Sequence, residues 1–135
     1  MSAGAPVLAA SVKYVPKKIP VSLASGGMNK LVAILLAIQE QTGGVVFIDE
    51  IENGFYFKRL PMIWDAILSF SREYDTQLFI SAHSSECLQA AARLAEASSD
   101  DFSMVRTVIS EGVTNVRMFD GDRFANSVLS DIEVR

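Results

Sequence analysis

Two adjacent carboxylates, Asp49 and Glu50, follow directly on a short apolar run, Val45–Ile48. The run is rich in β-branched residues and begins after a glycine pair, Gly43 and Gly44, so it predicts a strand that is covered on both faces. Because side chains alternate along a strand, we expect the two acids to point in different directions, one toward a metal ion and its waters and the other toward a reacting group. The alternative is a solvated strand end whose acids serve only solubility.

A histidine, His83, follows a second short apolar strand that is predicted over residues 77–81. Between the two strands, residues 60–74 carry apolar side chains at the spacing of one helix face. Strand, helix and strand in this order imply a right-handed crossover and a parallel pair, so both strand ends should lie at the same edge of the sheet. A single histidine is more often structural than catalytic, but a position beside Asp49 and Glu50 favours a functional role.

A third candidate site is the tripeptide Ser25-Gly26-Gly27, which precedes an apolar helix predicted over residues 28–41. Ser25 is the natural N-cap of that helix. A hydroxyl and unobstructed N–H groups at a helix N-terminus form a ready anion site, and the helix dipole favours phosphate there. The alternative is that the three residues only cap the helix and turn the chain.

The remaining chain has no repeat and reads as short elements separated by turns. A serine at position 84 or 85 should cap a helix that runs to about residue 97. Residues 104–109 and 113–119 predict a β-hairpin about Ser110-Glu111-Gly112, and a short final helix should follow. The weaker predictions are a disordered lead-in over residues 1–10 and short β-prone segments over residues 12–15 and 20–23.

Composition sets further bounds on the chain. Its 135 residues suit a single domain over residues 1–135, and with half of them hydrophobic a real core is expected. The net charge of −4 argues against a surface that coats nucleic acid by electrostatics alone. Cys87 is the only cysteine, which excludes an intrachain disulfide and a thiolate zinc site and fits a reducing cytoplasm. The apolar run 31–38 is far short of the roughly 20 residues that span a bilayer, so no membrane association is expected.

Taken in order and at these intervals, the three motifs resemble the C-terminal half of an ABC-type ATPase domain. The stretch Ile48-Asp49-Glu50-Ile51-Glu52-Asn53-Gly54, with Ser81-Ala82-His83-Ser84, is most similar to the RecF/OLD-like AAA ATPases of bacteria. The resemblance is strong over about residues 20–90. It implies an α/β fold, a partial P-loop NTPase with a parallel sheet flanked by helices, here followed by the C-terminal β-hairpin. The family reaction is ATP hydrolysis coupled to the opening and closing of a dimer.

The resemblance also implies roles for the acids and the histidine. Asp49 would be the Walker B residue that holds Mg²⁺ through water, and Glu50 would orient or deprotonate the attacking water. His83 would contact the γ-phosphate of ATP. Glu52 and Asn53 lie in the loop after Walker B, where family members bridge subunits or assist metal binding. The family often has a histidine at the position that is Tyr56 here, so Tyr56 receives no role.

The same resemblance makes Ser25, Gly26 and Gly27 the signature motif, which completes the nucleotide site of a second subunit. The P-loop pattern G-x-x-x-x-G-K-[ST], or Walker A, is absent from the chain. We therefore expect a truncated product or fragment that is inactive alone. The missing lobe would come from a homodimer partner or from a full-length ATPase subunit, with an indirect link to DNA or to a toxin or defence partner.

Two alternatives remain open at this point. The chain could be a non-catalytic interaction module that docks on a full-length ATPase. It could also be a metal-dependent nuclease that uses Asp49, Glu50 and Glu52, although the sequence does not clearly provide the further acids that such a site requires.

Overall fold

The computed structural model describes residues 9–11, 17–20 and 26–133. The helices are α1 (Gly26–Glu40), α2 (Leu60–Glu73), α3 (Ser85–Ala97) and α4 (Gly121–Glu133). The strands are β1 (Ala9–Ala10), β2 (Ile19–Pro20), β3 (Val45–Ile48), β4 (Gln77–Ile80), β5 (Ser103–Ser110) and β6 (Val113–Asp120). Single 3₁₀ turns precede α2 and β5, at Phe57–Arg59 and Ser99–Asp101. Within the described residues, no helix combines the length and the apolarity that crossing a membrane requires.

The centre of the fold is the unit β3, α2, β4, in which the two strands pair in parallel as the sequence predicts. Val46 lies opposite Leu78 and Ile48 lies opposite Ile80. α2 begins at Leu60 with Pro61 in its first turn, where a proline costs no helical hydrogen bond. The two strand ends therefore meet at one edge of the sheet, which brings the segments that follow them together.

The core lies between this sheet and the helices. Ile38 of α1, Ile51 after β3, Ile67 of α2 and Cys87 of α3 are the largest fully buried side chains. Small residues line α3 and allow α2 and α4 to pack closely against it; they are Ala90, Ala91, Ala92 and Ala95. Burial raises the pKa of the Cys87 thiol to about 11, so this cysteine is a core residue rather than a nucleophile.

The expectation that β3 is covered on both faces is wrong. Val46 and Ile48 are buried, but Phe47 is 77% exposed and Phe79 of β4 is 49% exposed. The two phenylalanine rings stack on each other with their centroids 5.1 Å apart. The described part of the chain supplies a helical layer to one face of the sheet and leaves the other face open, which is why an all-apolar strand is half exposed.

The β5–β6 hairpin forms as predicted around a two-residue turn. Glu111 and Gly112 have φ of 52° and 76°, the left-handed values of a type I′ turn that matches the twist of the strands. The base of the hairpin packs on the core through Met104 and Phe119, whereas Met118 is largely exposed. The final helix, α4, packs mainly against α3.

Of the predictions for the N-terminal residues, one is wrong in part and the others fall largely outside the described residues. Ala9–Ala10 pairs antiparallel with Ile19–Pro20, so the predicted disorder over residues 1–10 is wrong for Ala9 and Ala10. A two-residue backbone ladder requires no side-chain pattern, and small residues gave no signal for it. The β-prone segment 12–15 and residues 21–23 lie outside the described residues, as do residues 1–8.

Candidate active site

Asp49 and Glu50 occupy a turn beyond the last residue of β3 rather than the strand itself. Glu50 has a φ of 46°, in the left-handed region that non-glycine residues seldom adopt. Such a residue costs on the order of 1–3 kcal/mol and persists only where surrounding contacts hold it. The two acids do reach different partners, as expected. The cause is the turn of the backbone that carries them, and not the alternation of side chains along a strand.

Ser81 holds this turn in place from the neighbouring strand. Its hydroxyl donates to Asp49 Oδ1 at 2.5 Å and accepts the backbone N–H of Glu50 at 2.8 Å. Its backbone carbonyl accepts the N–H of Ile51 at 3.1 Å, and its own N–H donates to the carbonyl of Ile48 at 2.9 Å. The sequence predicts Ser81 as the end of a strand and as the first residue of the stretch Ser81–Ser84, but it does not reveal this contact. The parallel register could have revealed it, because Ser81 follows Ile80, the partner of Ile48, and so lies level with Asp49.

His83 and Glu50 meet above the sheet edge, as the crossover argument predicts. His83 Nε2 lies 3.7 Å from Glu50 Oε1, and both side chains are substantially exposed, at 74% and 45%. Asn53 donates a hydrogen bond to the other oxygen of the same carboxylate. Glu50 is therefore held between an amide and an imidazole while remaining open to solvent, so a water molecule and an anionic group can approach it.

Glu52 connects the turn that carries Asp49 and Glu50 to the segment that carries His83. Its Oε1 accepts the backbone N–H groups of His83 at 2.5 Å and of Ser84 at 2.9 Å. Ser84 caps α3, since its hydroxyl accepts the N–H of Cys87 at 3.0 Å. Partial burial acts to raise the pKa of Glu52, but the backbone donors outweigh it and hold the pKa below its ordinary value of 4.5. Glu52 is thus ionised at neutral pH and fixes the backbone that carries His83.

The loop that follows Asp49 and Glu50 is therefore held by hydrogen bonds within its own chain. Glu52 binds the start of α3 and Asn53 binds Glu50. These contacts identify positioning roles that the sequence did not reveal. The expectation that Glu52 and Asn53 bridge subunits or assist a metal stays a prediction.

The start of α1 approaches the same turn from the other side. A Cβ on Gly27 would lie 2.6 Å from the carbonyl oxygen of Gly54 and 3.2 Å from Cδ1 of Phe55, so only glycine permits this close approach. Lys30, one helical turn further on, donates to the carbonyl of Glu50 at 2.7 Å. Gly26, in contrast, is exposed, and a Cβ there would meet nothing within 4 Å. Ser25, the predicted cap, lies outside the described residues.

The chemistry of these groups suits a magnesium ion that keeps most of its water. Among the described residues, no cluster of three or more His, Cys, Asp or Glu side chains could enclose a metal. Mg²⁺ bound together with substrate phosphates needs only one or two carboxylates and hard oxygen donors. Asp49, exposed and hydrogen-bonded to the Ser81 hydroxyl, supplies that donor type at the carboxyl end of a parallel strand, where α/β proteins bind their ligands.

Comparison with solved structures supports the class of fold. The chain is similar, with a TM-score of 0.55 and 19% identity, to a structure from a study titled "Structural biochemistry of ATP-driven dimerization and DNA stimulated activation of SMC ATPases". The match covers 87% of this chain and 66% of that chain. The architecture is therefore an α/β fold of the SMC ATPase type: a partial P-loop fold, with a short parallel sheet flanked by helices and followed by an antiparallel hairpin.

The family follows from sequence. Residues 16–88 match the family described as "AAA domain, putative AbiEii toxin, Type IV TA system". That match covers more than half of the chain, and the protein belongs to this family of ABC-type ATPase domains. The chain is also 28% identical over 81 residues to a Helicobacter pylori protein named ATP/GTP phosphatase. That alignment covers 58% of this chain and 22% of the relative, so the chain spans about a fifth of the length of the curated relative it matches.

Proposed function

We propose that the chain provides the Walker B, switch-histidine and signature elements of a RecF/OLD-like ABC-type ATPase. The observation that carries the proposal is the meeting of Glu50 and His83 at the carboxyl edge of one parallel strand pair, with Asp49 next to Glu50 in the same turn. Two carboxylates and an imidazole that stay open to solvent at this edge suit phosphoryl transfer from ATP to water. Membership in a family of ATPase domains supports the same reaction.

Each side chain then has a separate task. Mg²⁺ and ATP, when bound, supply the charge neutralisation and the transferable γ-phosphoryl group. Asp49 would hold the ion, and Ser81 orients its carboxylate through a hydrogen bond of 2.5 Å. Glu50 orients and deprotonates the attacking water, and Asn53 and the left-handed backbone fix its direction. His83 contacts the γ-phosphate from the 3.7 Å position beside Glu50, with its backbone held by Glu52.

The start of α1 serves a second nucleotide site. Gly26 presents an exposed backbone at the N-terminus of a 15-residue helix, where N–H groups and the helix dipole favour phosphate. Together with Ser25 and Gly27, it completes the site of a partner subunit whose own lobe carries Walker A. The partner is a second copy of a longer form of the protein or another full-length ATPase. The family description, which names a type IV toxin–antitoxin system, supports a toxin or defence partner for the assembly.

A non-catalytic docking module is the second candidate, and the open sheet face favours it. Phe47 and Phe79 form an exposed stacked pair on that face, which a covering lobe of another ATPase would bury. In this case the chain binds the full-length protein without contributing to phosphate chemistry. The two candidates differ in whether α1 must touch the nucleotide.

A rescue experiment separates the candidates. A full-length family member with an intact Walker A but a disabled signature is mixed with this chain, and ATP hydrolysis is measured. We expect partial rescue by the wild-type chain and by Gly26→Ala, and none by Gly26→Asp. The aspartate side chain enters open space and suits a helix N-terminus, so the fold is preserved while a carboxylate occupies the phosphate position.

Two further variants complete the design. Asp49→Asn should leave the rescue unchanged, because Asp49 serves the other nucleotide site. Gly27→Asp is a poor probe, because its Cβ would collide with the Gly54 carbonyl and disturb the turn. Equal rescue by Gly26→Ala and Gly26→Asp would refute the signature role and favour docking without chemistry.

A further inference from the structure

An open surface cleft that is lined by arginines lies between the β5–β6 hairpin and α4. Its volume is about 530 Å³, and three arginines line it: Arg106 of β5, Arg117 of β6 and Arg123 of α4. Phe119 of β6 and Asn126, Ser127 and Ser130 of α4 complete its lining. The acids and the histidine described above belong to the segments that follow β3 and β4, so this cleft is built from different elements of the fold.

Two of the arginines oppose each other in the strand ladder. Arg106 and Arg117 are direct partners in the antiparallel register and so share one face of the hairpin. Like charges at directly opposite positions destabilise a strand pair. Among the described residues, neither side chain has an ion-pair partner, whereas Arg123 has Asp120 with 3.7 Å between Nε and Oδ2. Within the part of the chain that the structure describes, Arg106 and Arg117 therefore place unpaired positive charge in the cleft, although the protein as a whole carries −4.

The donor types in the cleft identify the class of ligand. An arginine guanidinium presents a planar fork of N–H groups that matches the oxygens of a phosphate and stays charged at all physiological pH values. The hydroxyl of Ser130 and the amide of Asn126 add neutral donors on α4, whereas the hydroxyl of Ser127 donates to the carbonyl of Phe124 at 3.3 Å. The cleft is open to solvent rather than enclosed, so a phosphate group can reach the arginines from outside.

We propose that this cleft is a binding site for a phosphate group, carried by a small phosphorylated compound or by a nucleic acid strand. Bound phosphate supplies the counter-charge that Arg106 and Arg117 lack and thereby removes the repulsion in the ladder. The affinity for phosphate and the stability of the β5–β6 hairpin are then thermodynamically coupled. The ligand should raise the stability of the hairpin more than that of the βαβ unit.

The experiment titrates the full chain with two probes in low-salt buffer: inorganic pyrophosphate and a short single-stranded oligonucleotide. We expect Arg117→Gln to weaken binding of the recognised probe about tenfold, which corresponds to about 1.4 kcal/mol. Arg93→Gln is the matched control, because Arg93 is an exposed arginine on α3 outside the cleft. Melting of Arg117→Gln without ligand should occur at the same or a higher temperature than that of the wild type, since a like-charge pair is removed.

The two probes identify the source of the phosphate. Binding of pyrophosphate alone assigns a small phosphorylated ligand, whereas stronger binding of the oligonucleotide assigns a nucleic acid strand. Both results support the site if they depend on Arg117 and not on Arg93. The proposal is overturned if neither probe binds, or if the two substitutions weaken binding equally, since the effect is then one of net charge.

Discussion

Replacing Glu52 by glutamine removes the charge of the side chain and hardly changes its size. The substitution tests whether the Glu52 carboxylate holds the backbone at His83. The wild-type carboxylate accepts two backbone N–H groups through Oε1. A hydrogen bond to a charged group contributes about 1.5–3 kcal/mol, against about 0.5–1.5 kcal/mol for a neutral one, so two bonds lose roughly 2 kcal/mol. Since Glu52 is only partly buried, solvent screening reduces this to about 1–2 kcal/mol.

The geometry adds a smaller cost in the same direction. Oε2 of Glu52 is shielded from solvent and has no hydrogen-bond partner among the described residues. A glutamine that keeps its oxygen toward His83 and Ser84 must place its NH₂ group there, where it finds no acceptor. Glu52→Gln should therefore lower the free energy of unfolding by about 1–2 kcal/mol at neutral pH.

The pH dependence gives the sharper test. The pKa of Glu52 is lowered in the folded chain, so its stabilising contribution is fully present above the ordinary value of 4.5 and is lost as pH falls through the folded-state pKa. The difference between wild type and Glu52→Gln should be constant above pH 4.5 and shrink below it. Urea unfolding followed by tryptophan fluorescence at several pH values measures this, because Trp64 is buried in the core.

A matched substitution controls for charge. Glu96→Gln removes the same charge from an exposed position at the end of α3 and should change the stability by less than about 0.5 kcal/mol. Our reasoning is refuted if Glu52→Gln behaves like Glu96→Gln, or if its effect grows on acidification. Either result would mean that the carboxylate does not hold the backbone of His83.

Two further predictions concern activity and association. The isolated chain should hydrolyse ATP negligibly for want of a P-loop lysine, and robust turnover that Glu50→Gln abolishes would contradict this. The chain should self-associate in the micromolar range through the open sheet face. In sedimentation, Phe47→Ser should weaken association while Phe57→Ser, at an exposed ring outside the sheet, should not, and a clean wild-type monomer would count against the prediction.

Local patterns in the sequence were sufficient for the elements from α1 to α4 and for the meeting of Glu50 with His83. Gly43 and Gly44 end one element, the β-branched run Val45–Ile48 forms the strand with the predicted bounds, and the hairpin turn lies where the sequence indicates. The parallel order of β3 and β4 then followed from a rule of chain topology. These features depend on neighbours within a few residues, or on the order of elements, and both can be read from sequence.

The supporting contacts depend on residues far apart in the chain, so only the tertiary structure could reveal them. Glu52 reaches the N–H of His83 across 31 residues, and the Ser81 hydroxyl reaches Asp49 across 32. No periodicity in the sequence predicts such pairs, because each hydrogen bond depends on where a backbone turn places a single atom. The open face of Phe47 was missed for a related reason: an apolar strand predicts burial, but whether a second layer covers the strand is decided by tertiary packing. The sequence by itself thus determined which acids and which histidine are the candidates for chemistry, and tertiary packing decided which of them are held by hydrogen bonds, which are exposed and where the three arginines lie together.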